Sequence, residues 1–591
     1  MSSSVVASAR AVDLDRPAGP PSPRNRDRAR PAVLLDGVPR AISRVVQVLG
    51  AASVVDGLWP HSWRLVRSLT PVMPDQARAG ASAVVAVAGI LLLRVAAGLR
   101  RRKRNAWRVA LLASAGIALA DLLRTERRPI EAALALLSLV ALIAARDRFV
   151  AVPDPRSQWF AGRVAAQFVA IGLGYGLLAL YLPGHVPPHT TFFDRLREVV
   201  ASLVGAGGEL PIRSDRYGDA VHFTLLGLGL LAVTTGLYLL LRPAEPIAEL
   251  APADEDALRA LLARHGSRDS LGYFALRRDK SVVWSPSGKA AVAYRVVCGV
   301  ALAGGDPLGD PEAWPGALAE FRRLVENHGW TPAVMGCGEL AATVYAREWG
   351  LTALELGDEA IVPVATFTLE GRAMRGIRQA CTRVARAGYE VQVRRVEDVP
   401  ADELAELRAA AEAWRGEPVE RGYSMALSRL GDPADTGCVV VTARQEGVLR
   451  GLLHFVPWSA DGLSLDLMRR DRTGDNGVNE YMIATLMARC PDLGVERVSL
   501  NFAVFRDALE RGAQIGAGPV VRLWRRLLLF ASRWWQIESL HRFNARFRPE
   551  WTPRFICYPA ARDLPRVAWA AMEAEAFIVR PRLVKRLLGR G

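Results

Sequence analysis

The stretch GLSLDLMRRDRTGDNGVNEYMIATLM, residues 462–487, places acidic and basic side chains in an apolar setting. Its alternating leucines predict a half-buried strand, with Asp466 on the opposite face. Arg469 follows at once, and a glycine-containing turn then leads to a helix that carries Glu480. A carboxylate can accept a proton, and a guanidinium can hold an anion. The pattern therefore indicates either a catalytic site or an ion pair that closes the end of a strand.

The composition divides the chain into an apolar and a globular part. Its 591 residues exceed a single core of roughly 250–300 residues. Apolar residues make up 51% of the chain, and their long runs lie before about residue 240. The net charge of +16 favours anionic lipid or nucleic acid as partners, or it reflects arginine-rich cytoplasmic loops. Six cysteines without a CxxC pair favour a reducing compartment and give no metal site.

The apolar part has the pattern of a membrane domain. Residues 1–40 are rich in Pro, Ser, Arg and Asp and predict a disordered basic tail. Most of the apolar segments that follow approach the ~17–25 residues needed to cross a bilayer. We therefore predict a transmembrane helical domain over 41–242. Its six segments lie at about 41–58, 81–99, 107–123, 129–145, 161–182 and 220–241.

The distribution of Lys and Arg predicts the orientation of these segments. The basic tail, the loop RRKRNAWR at 101–108 and the globular part fall on one side if there are six spans. That side is predicted to be cytoplasmic, so both termini are cytoplasmic and the protein is a multi-pass protein of the cell membrane. The loop at 183–219 is then external, and its segment FFDRLREVVASLV has a helical pattern.

The globular part alternates helical and strand patterns. ADEDALRALLARHG predicts an amphipathic helix that ends at Gly266, and SVVWSPSGKAAVAYRVV predicts two strands around a turn. ADELAELRAAAEAWRG opens a second series, in which a Glu-Gly turn joins a hairpin. We predict two α+β units over 250–400 and 401–565, followed by a basic C-terminal helix over 566–591.

Several ordered motifs in the globular part resemble one family. LGDEAIVPVATFTLEGRAMRGIRQACTRVARAGYEV, ERGYSMA, LDLMRR, NGVNEYMI and RFRPEWTPRF are similar to motifs of the aminoacyl-phosphatidylglycerol synthases, or multiple peptide resistance factors. The resemblance covers about 250–560. Residues 499–558 look most similar to the lysylphosphatidylglycerol synthases that are fused to a lysyl-tRNA synthetase in high-GC Gram-positive bacteria.

This resemblance implies a fold and a reaction. The expected fold is an N-terminal α-helical membrane domain of about six spans, followed by an α+β tandem acetyltransferase-like (GNAT) cytoplasmic domain. The expected reaction moves an aminoacyl group from aminoacyl-tRNA to the headgroup of phosphatidylglycerol. Exchanging one ester for another needs a proton acceptor and donors for the oxyanion, so we expect no cofactor besides the aminoacyl-tRNA co-substrate.

The family motifs assign candidate catalytic roles. Asp466 is expected to handle a proton, and Arg469 to hold the anionic substrate. Glu420, in EPVERGYSMAL, is the second acidic candidate, although Ala426 and Leu427 stand where the family often has Gly-Arg. Glu480 is the third, and an equally open role for it is to interact with the helix dipole.

Further residues are candidates for substrate binding. LHRFNARFRPEWTPRF, 540–555, combines cations with aromatic rings, as a tRNA acceptor end or a lipid headgroup would need. The alternative is a surface helix that ends at a proline. Asp475 or Asn476 is expected to cap the helix of Glu480, and His454 is expected to be a buried core histidine. The candidates are Arg470, Ser424, Asn476, Arg542, Arg546, Arg548, Trp551 and Arg554.

The expected partners are aminoacyl-tRNA, with lysine as the expected amino acid, phosphatidylglycerol and the anionic membrane surface. Because no room for a synthetase is left before residue 591, a separate aminoacyl-tRNA synthetase is expected to supply the substrate. Two alternatives stay open. The same fold could act on diacylglycerol or a cell-wall precursor, or the protein could be a lipid flippase without enzymatic activity. The segment at 520–535 is expected to be a buried helix or a helix on the membrane surface.

Overall fold

The structure is a computed structural model of the 591-residue chain. The main described residues are 155–182, 189–203, 210–212, 215–240, 245–416, 420–504 and 537–579, with shorter stretches at 43–44, 95–96, 98–99, 103–111, 139–146, 149 and 186–187. The predicted basic tail and the segment at 520–535 lie outside them. So do most of the first four predicted spans and residues 580–591 of the predicted C-terminal helix.

Three helices of the apolar part are described together with the globular part. They are α1 (Pro155–Tyr181), α2 (Phe192–Leu203) and α3 (Asp215–Leu240). Within the described residues, α1 and α3 are the two helices whose length and composition suit a membrane span. They correspond to the fifth and sixth predicted spans, and α2 corresponds to the helical pattern in the loop between them. The number of six spans stays a prediction.

The globular part contains helices and strands in alternation. The Glu-Gly turn joins two of the strands in a hairpin as predicted, with a positive φ at both residues. The elements are α4 (Pro252–His265), β1 (Ser281–Trp284), β2 (Ala290–Val297), β3 (Val300–Gly304), β4 (Leu308–Gly309), α5 (Trp314–His328), β5 (Thr331–Cys337), α6 (Glu339–Trp349), β6 (Thr352–Pro363), α7 (Arg375–Arg386), β7 (Tyr389–Arg395), α8 (Ala401–Arg415), β8 (Val439–Gln445), β9 (Val448–Trp458), β10 (Gly462–Arg470), α9 (Val478–Arg489), β11 (Arg497–Val504), α10 (Ile537–Ala545), β12 (Glu550–Tyr558) and α11 (Leu564–Ala574).

One mixed sheet joins all twelve strands of the described residues. Its order is β1-β2-β3-β5-β12-β6-β11-β10-β9-β8-β7, and β4 pairs with β2. The boundary between the two halves of this sheet therefore differs from the boundary between the predicted units at 250–400 and 401–565. Strand β7 lies at the far end of the second half, and β12 lies between β5 and β6 of the first half. The C-terminal helix also differs, since the described helix begins at Leu564 and ends at Ala574.

The two faces of the sheet bury different cores. Alternation along β9 points Leu452 and Val456 to one face and Leu453 and Phe455 to the other. The first face carries one core that both halves share, and it packs against α4, α8 and α11. We call this the shared face. The opposite face carries a separate core for each half, and that of the second half includes residues of α7 and α9.

Candidate functional site

A bulge in β10 determines where Asp466 lies. The pairing of β10 with β9 shifts between Leu465 and Leu467, so Asp466 is the additional residue. Leu463 and Leu465 pack in the core of the opposite face, whereas Leu467 packs in the core of the shared face. The three leucines were predicted to share one face, and this is wrong because the bulge inverts the alternation. The bulge places Asp466 on the shared face.

Both carboxylate oxygens of Asp466 are engaged. Oδ1 accepts the backbone N–H of Leu427, and Oδ2 lies 2.6 Å from Nδ1 of His454. The Asp466 side chain is 5% exposed, and that of His454 is fully buried. The sequence alternatives for Asp466 were proton transfer or an ion pair with arginine. In the structure its cationic partner is His454, which the sequence analysis had treated as a core residue.

The pKa of His454 predicts a pH dependence. Burial alone would lower the pKa of His454, but its hydrogen bonds to Asp466 and Cys438 raise it to about 10. An unfolded histidine has a pKa of about 6.5. The pair therefore stabilises the fold fully below about pH 6.5, and this stabilisation is lost as the pH rises towards 10.

We therefore expect the stability difference between the wild-type chain and the His454→Gln variant to shrink between pH 6.5 and 10, by up to about 1.4 kcal/mol per pH unit. Thermal unfolding of the full chain in detergent, followed by tryptophan fluorescence across this range, measures the difference. Parallel pH profiles of the two proteins would contradict the ion pair.

Arg469 and Glu420 meet on the shared face beside this pair. Nη2 of Arg469 lies 3.6 Å from Oε1 of Glu420, and the two side chains are 24% and 28% exposed. These two candidates thus lie side by side, and both remain accessible to a substrate. Arg469 lies near the end of β10, whereas Glu420 begins an irregular segment, 420–428, which we call the acidic loop.

The acidic loop is held by two residues that the sequence analysis missed. Glu575, at the end of α11, accepts the backbone N–H groups of Tyr423 and Ser424 at 2.7 and 3.1 Å. Arg277 donates to the carbonyl oxygens of Gly422 and Ala426 and to Oγ of Ser428. These partners lie about 150 residues away in sequence, so no local pattern pointed to them.

Ser424, a predicted substrate-binding residue, takes part in this anchoring. Its hydroxyl donates to Oε1 of Glu575 at 2.7 Å, and the residue is buried. The described contacts of Ser424 are therefore with the protein itself. Its role towards a substrate stays a prediction.

Glu480 lies on the opposite face, in the first turn of α9. Oε1 of Glu480 and Nη1 of Arg546 are 2.5 Å apart, so two further candidates are paired. The helix was predicted to begin near Asn476, which agrees with its start two residues later, but the predicted cap, Asp475 or Asn476, is wrong. It begins at Val478 after Gly477, which has a φ of +103° and provides no side-chain cap.

The other candidates near α9 and α10 are at or near the surface. Arg470 donates to the carbonyl of Gly474 at 3.3 Å, and the carbonyl of Asn476 accepts a hydrogen bond from Arg383. The ring of Trp551 stacks on His541 with centroids 4.9 Å apart. Arg542 and Arg548 are exposed. The cations and rings of this region thus remain candidates for substrate contact.

Arg554 differs from these residues because it is buried in an ionic network. It donates to Glu359 at 2.5 and 2.9 Å, to Asp269 at 2.7 Å and to Ser270 at 2.8 Å. Asp306 adjoins the network and accepts the N–H of Gly338. Burial and the neighbouring Asp269 raise the pKa of Asp306 to about 7. One guanidinium thus faces three acidic groups below the surface.

Within the described residues, no group of three His, Cys, Asp or Glu side chains is arranged to hold a metal ion. The chemistry that the shared face offers is that of a carboxylate and a guanidinium side by side. Such a pair can remove a proton from a hydroxyl and stabilise an anion.

The globular part matches a known protein family. Residues 259–558 match the family described as "Phosphatidylglycerol lysyltransferase, C-terminal". The chain belongs to this family. Residues 34–237 match a second family, "Transmembrane region of lysyl-tRNA synthetase", so the chain also carries a transmembrane region. The matched segments contain every candidate catalytic residue and all but the last residues, 238–242, of the predicted membrane domain.

Two sequence relatives agree with this assignment. The "Lysylphosphatidylglycerol biosynthesis bifunctional protein LysX" of Rhodococcus jostii is 45% identical over 502 residues, which cover 83% of this chain and 44% of the relative. The protein of the same name from Mycolicibacterium vanbaalenii is 42% identical and covers 95% of this chain and 52% of the relative. A solved structure of L-PGS from Bacillus licheniformis has a TM-score of 0.49 and 22% identity, and covers 57% of this chain and 100% of that one.

The chain spans about half the length of the relatives that it matches. Those relatives are named as bifunctional proteins, which does not fit the prediction of a separate synthetase as the source of aminoacyl-tRNA. The family membership, by contrast, agrees with the resemblance seen in the sequence motifs.

Proposed function

We propose that the protein transfers an aminoacyl group, most simply lysyl, from aminoacyl-tRNA to the glycerol headgroup of phosphatidylglycerol. The observation that carries this proposal is the accessible Arg469–Glu420 pair on the shared face, within the segment that matches phosphatidylglycerol lysyltransferases. The relatives' name, lysylphosphatidylglycerol biosynthesis protein, supports lysine as the amino acid.

The reaction exchanges one ester for another. A hydroxyl oxygen of the lipid glycerol attacks the carbonyl carbon of the tRNA ester. The new C–O bond forms, the bond to the ribose oxygen breaks, and the proton of the lipid hydroxyl ends on the ribose oxygen. No oxidant, reductant or further reactant is consumed, and the proposal includes no resident cofactor.

The proposal gives each side chain of the site a role. Glu420 takes the proton from the lipid hydroxyl and returns it to the leaving ribose oxygen. Arg469 binds the lipid phosphodiester or the developing oxyanion. Asp466, whose oxygens are both engaged, is a positioning residue that holds Leu427 and with it the acidic loop. The Glu480–Arg546 pair on the other face is a candidate contact for the anionic substrates.

The product carries a cationic amino acid on a previously anionic lipid. Its accumulation would weaken the attraction of the membrane for cationic peptides. We therefore include resistance to cationic antimicrobial peptides in the proposal. The globular part and both termini are proposed to lie on the cytoplasmic side, where aminoacyl-tRNA is found.

Lipid analysis tests the proposal. The full chain and its Glu420→Gln variant are expressed in a host that makes phosphatidylglycerol but no aminoacylated form, and the lipids are separated by mass. We expect a new aminoacyl-phosphatidylglycerol with the wild-type chain, whose mass difference identifies the amino acid, and a strongly reduced amount with the variant. Absence of any new lipid, with both proteins in the membrane, would overturn the proposal. A new aminoacylated lipid without phosphate would identify another acceptor.

A further inference from the structure

Helix α7 and the turn before it present a row of arginines that the proposed chemistry does not use. We call this row the arginine face. Glu370 precedes the row, and no further acidic residue follows in the chain until Glu390. All members are exposed. The arginine face consists of Arg372, Arg375, Arg378, Arg383 and Arg386.

The amphipathic pattern of α7 directs these arginines outward. Ile377, Cys381 and Val384 are buried in the core of the opposite face of the sheet. At 100° per residue, Arg375 and Arg386 lie within about 20° of each other on the other side of the helix. The rise of 1.5 Å per residue separates their Cα atoms by about 16 Å along the axis. The row is therefore long enough to contact several consecutive phosphates of a nucleic acid strand.

The charge of the arginine face is not neutralised by the protein. None of the five guanidiniums pairs with a carboxylate in the part of the chain that the structure describes. Arg378 donates to the carbonyls of Leu369 and Gly371, and Arg383 donates to that of Asn476 at 2.8 Å. Arg394 and Arg444, by contrast, both pair with Glu403. The arginine face is thus available to an anionic partner.

The arginine face adjoins the loop between β10 and α9. The hydrogen bond from Arg383 to Asn476 joins the two elements directly. A Cβ placed on Gly477 would lie 3.0 Å from Cβ of Ala380 and 3.2 Å from Nη2 of Arg383, so a glycine permits the close approach. This loop starts where Arg470 ends β10 and leads to α9 with the Glu480–Arg546 pair.

The chemistry of the surface favours a nucleic acid over a membrane. A helix that lies on a bilayer inserts an apolar face into it, but the apolar face of α7 is buried against the sheet. Between the arginines the exposed residues are small or polar, such as Gly376, Gln379 and Thr382. No large hydrophobic side chain is exposed between residues 365 and 390, all of which the structure describes.

We propose that the arginine face binds the phosphate backbone of the tRNA, independently of its sequence, and so presents the aminoacylated end to the loop after β10. The choice of tRNA as the partner rests on the proposed function, but binding itself does not require transfer. Because phosphate contacts release counterions, the affinity depends on salt, and each lost contact reduces the salt dependence.

The test compares two double variants of the full chain in phosphatidylcholine nanodiscs. Arg375→Gln with Arg386→Gln removes two charges whose side chains have no described partner. Arg264→Gln with Arg408→Gln removes the same charge from the exposed surfaces of α4 and α8 and serves as the control. The probe is an uncharged lysine tRNA transcript, and binding is measured by fluorescence anisotropy at several salt concentrations.

We expect the α7 variant to bind this tRNA roughly tenfold more weakly near 0.15 M salt, and the slope of log K against log salt to fall by about 1.5 to 2 in magnitude. The control is expected to match the wild type. Equal affinity and slope for the two variants would overturn the proposal. So would a raised KM for phosphatidylglycerol with an unchanged KM for aminoacyl-tRNA, since this result would assign the surface to lipid. A wild-type chain that binds tRNA but makes no aminoacylated lipid would refute the proposed function and leave this inference intact.

Discussion

Replacing Arg469 by alanine is expected to lower kcat for aminoacyl-phosphatidylglycerol formation about 100- to 1000-fold, the typical cost of removing a group that stabilises a developing oxyanion. Glu420→Gln is expected to lower it by at least about 100-fold, because the amide cannot accept the proton. Both side chains are partly exposed and their pair is 3.6 Å long, so neither substitution leaves a fully buried charge unpaired. The loss should therefore appear in the rate rather than in the stability.

A double-mutant cycle distinguishes this role from a purely structural one. If the two groups act in the same step, Arg469→Ala with Glu420→Gln should be little worse than the more damaged single variant. Initial rates with radiolabelled aminoacyl-tRNA in phosphatidylglycerol micelles provide the measurement, and Arg408→Ala is the control for loss of one exposed arginine. Single variants that retain more than about a third of the wild-type kcat would contradict the assignment.

Replacing Arg554 by methionine is expected to destabilise the fold by about 3 to 5 kcal/mol, the usual cost of removing one partner from a buried ion pair. Arg554 is 4% exposed, and its removal leaves Asp269 and Glu359 without their cation. The sequence analysis assigned Arg554 to substrate binding, and the structure gives it a set of partners that is already complete.

Neutralising the two carboxylates that lose their cation provides the decisive comparison. Arg554→Met combined with Glu359→Gln and Asp269→Asn should recover part of the lost stability, because no excess negative charge remains buried. Arg548→Met, at an exposed position six residues earlier in the chain, is expected to change stability by less than about 0.5 kcal/mol. Chemical denaturation of the full chain in detergent gives these values. If Arg554→Met unfolds like the wild type and only raises KM for aminoacyl-tRNA, Arg554 belongs to the substrate site instead.

Local patterns predicted most of the elements that position the site. The apolar alternation before Arg469 correctly indicated a strand, and the Glu-Gly turn correctly indicated a hairpin. Local patterns could not predict the bulge at Asp466, because the leucines continue to alternate in the sequence although the strand pairing shifts there. Only the pairing with the neighbouring strand reveals the additional residue.

Contacts between distant residues account for the remaining differences. Glu575 approaches Tyr423 and Ser424 from the end of α11, and no spacing in the sequence connects them. His454 looked like an ordinary core residue because its partner, Asp466, lies 12 residues later in the chain, beyond a hairpin turn and at a bulge. The candidate residues themselves came from the family motifs, and residue types alone would not have separated Arg469 from the buried Arg554.

The position of β12 has a consequence for how the chain acquires its structure during translation. The ribosome releases β1 to β6 early, but the neighbour that belongs between β5 and β6 emerges only after residue 558. Until then, the facing edges of β5 and β6 have no partner, and unpaired strand edges promote association between chains. The sheet of β1 to β6 therefore cannot be completed until nearly 200 further residues have been synthesised. A gene fragment that ends before β12 would give an aggregation-prone product rather than an independent domain.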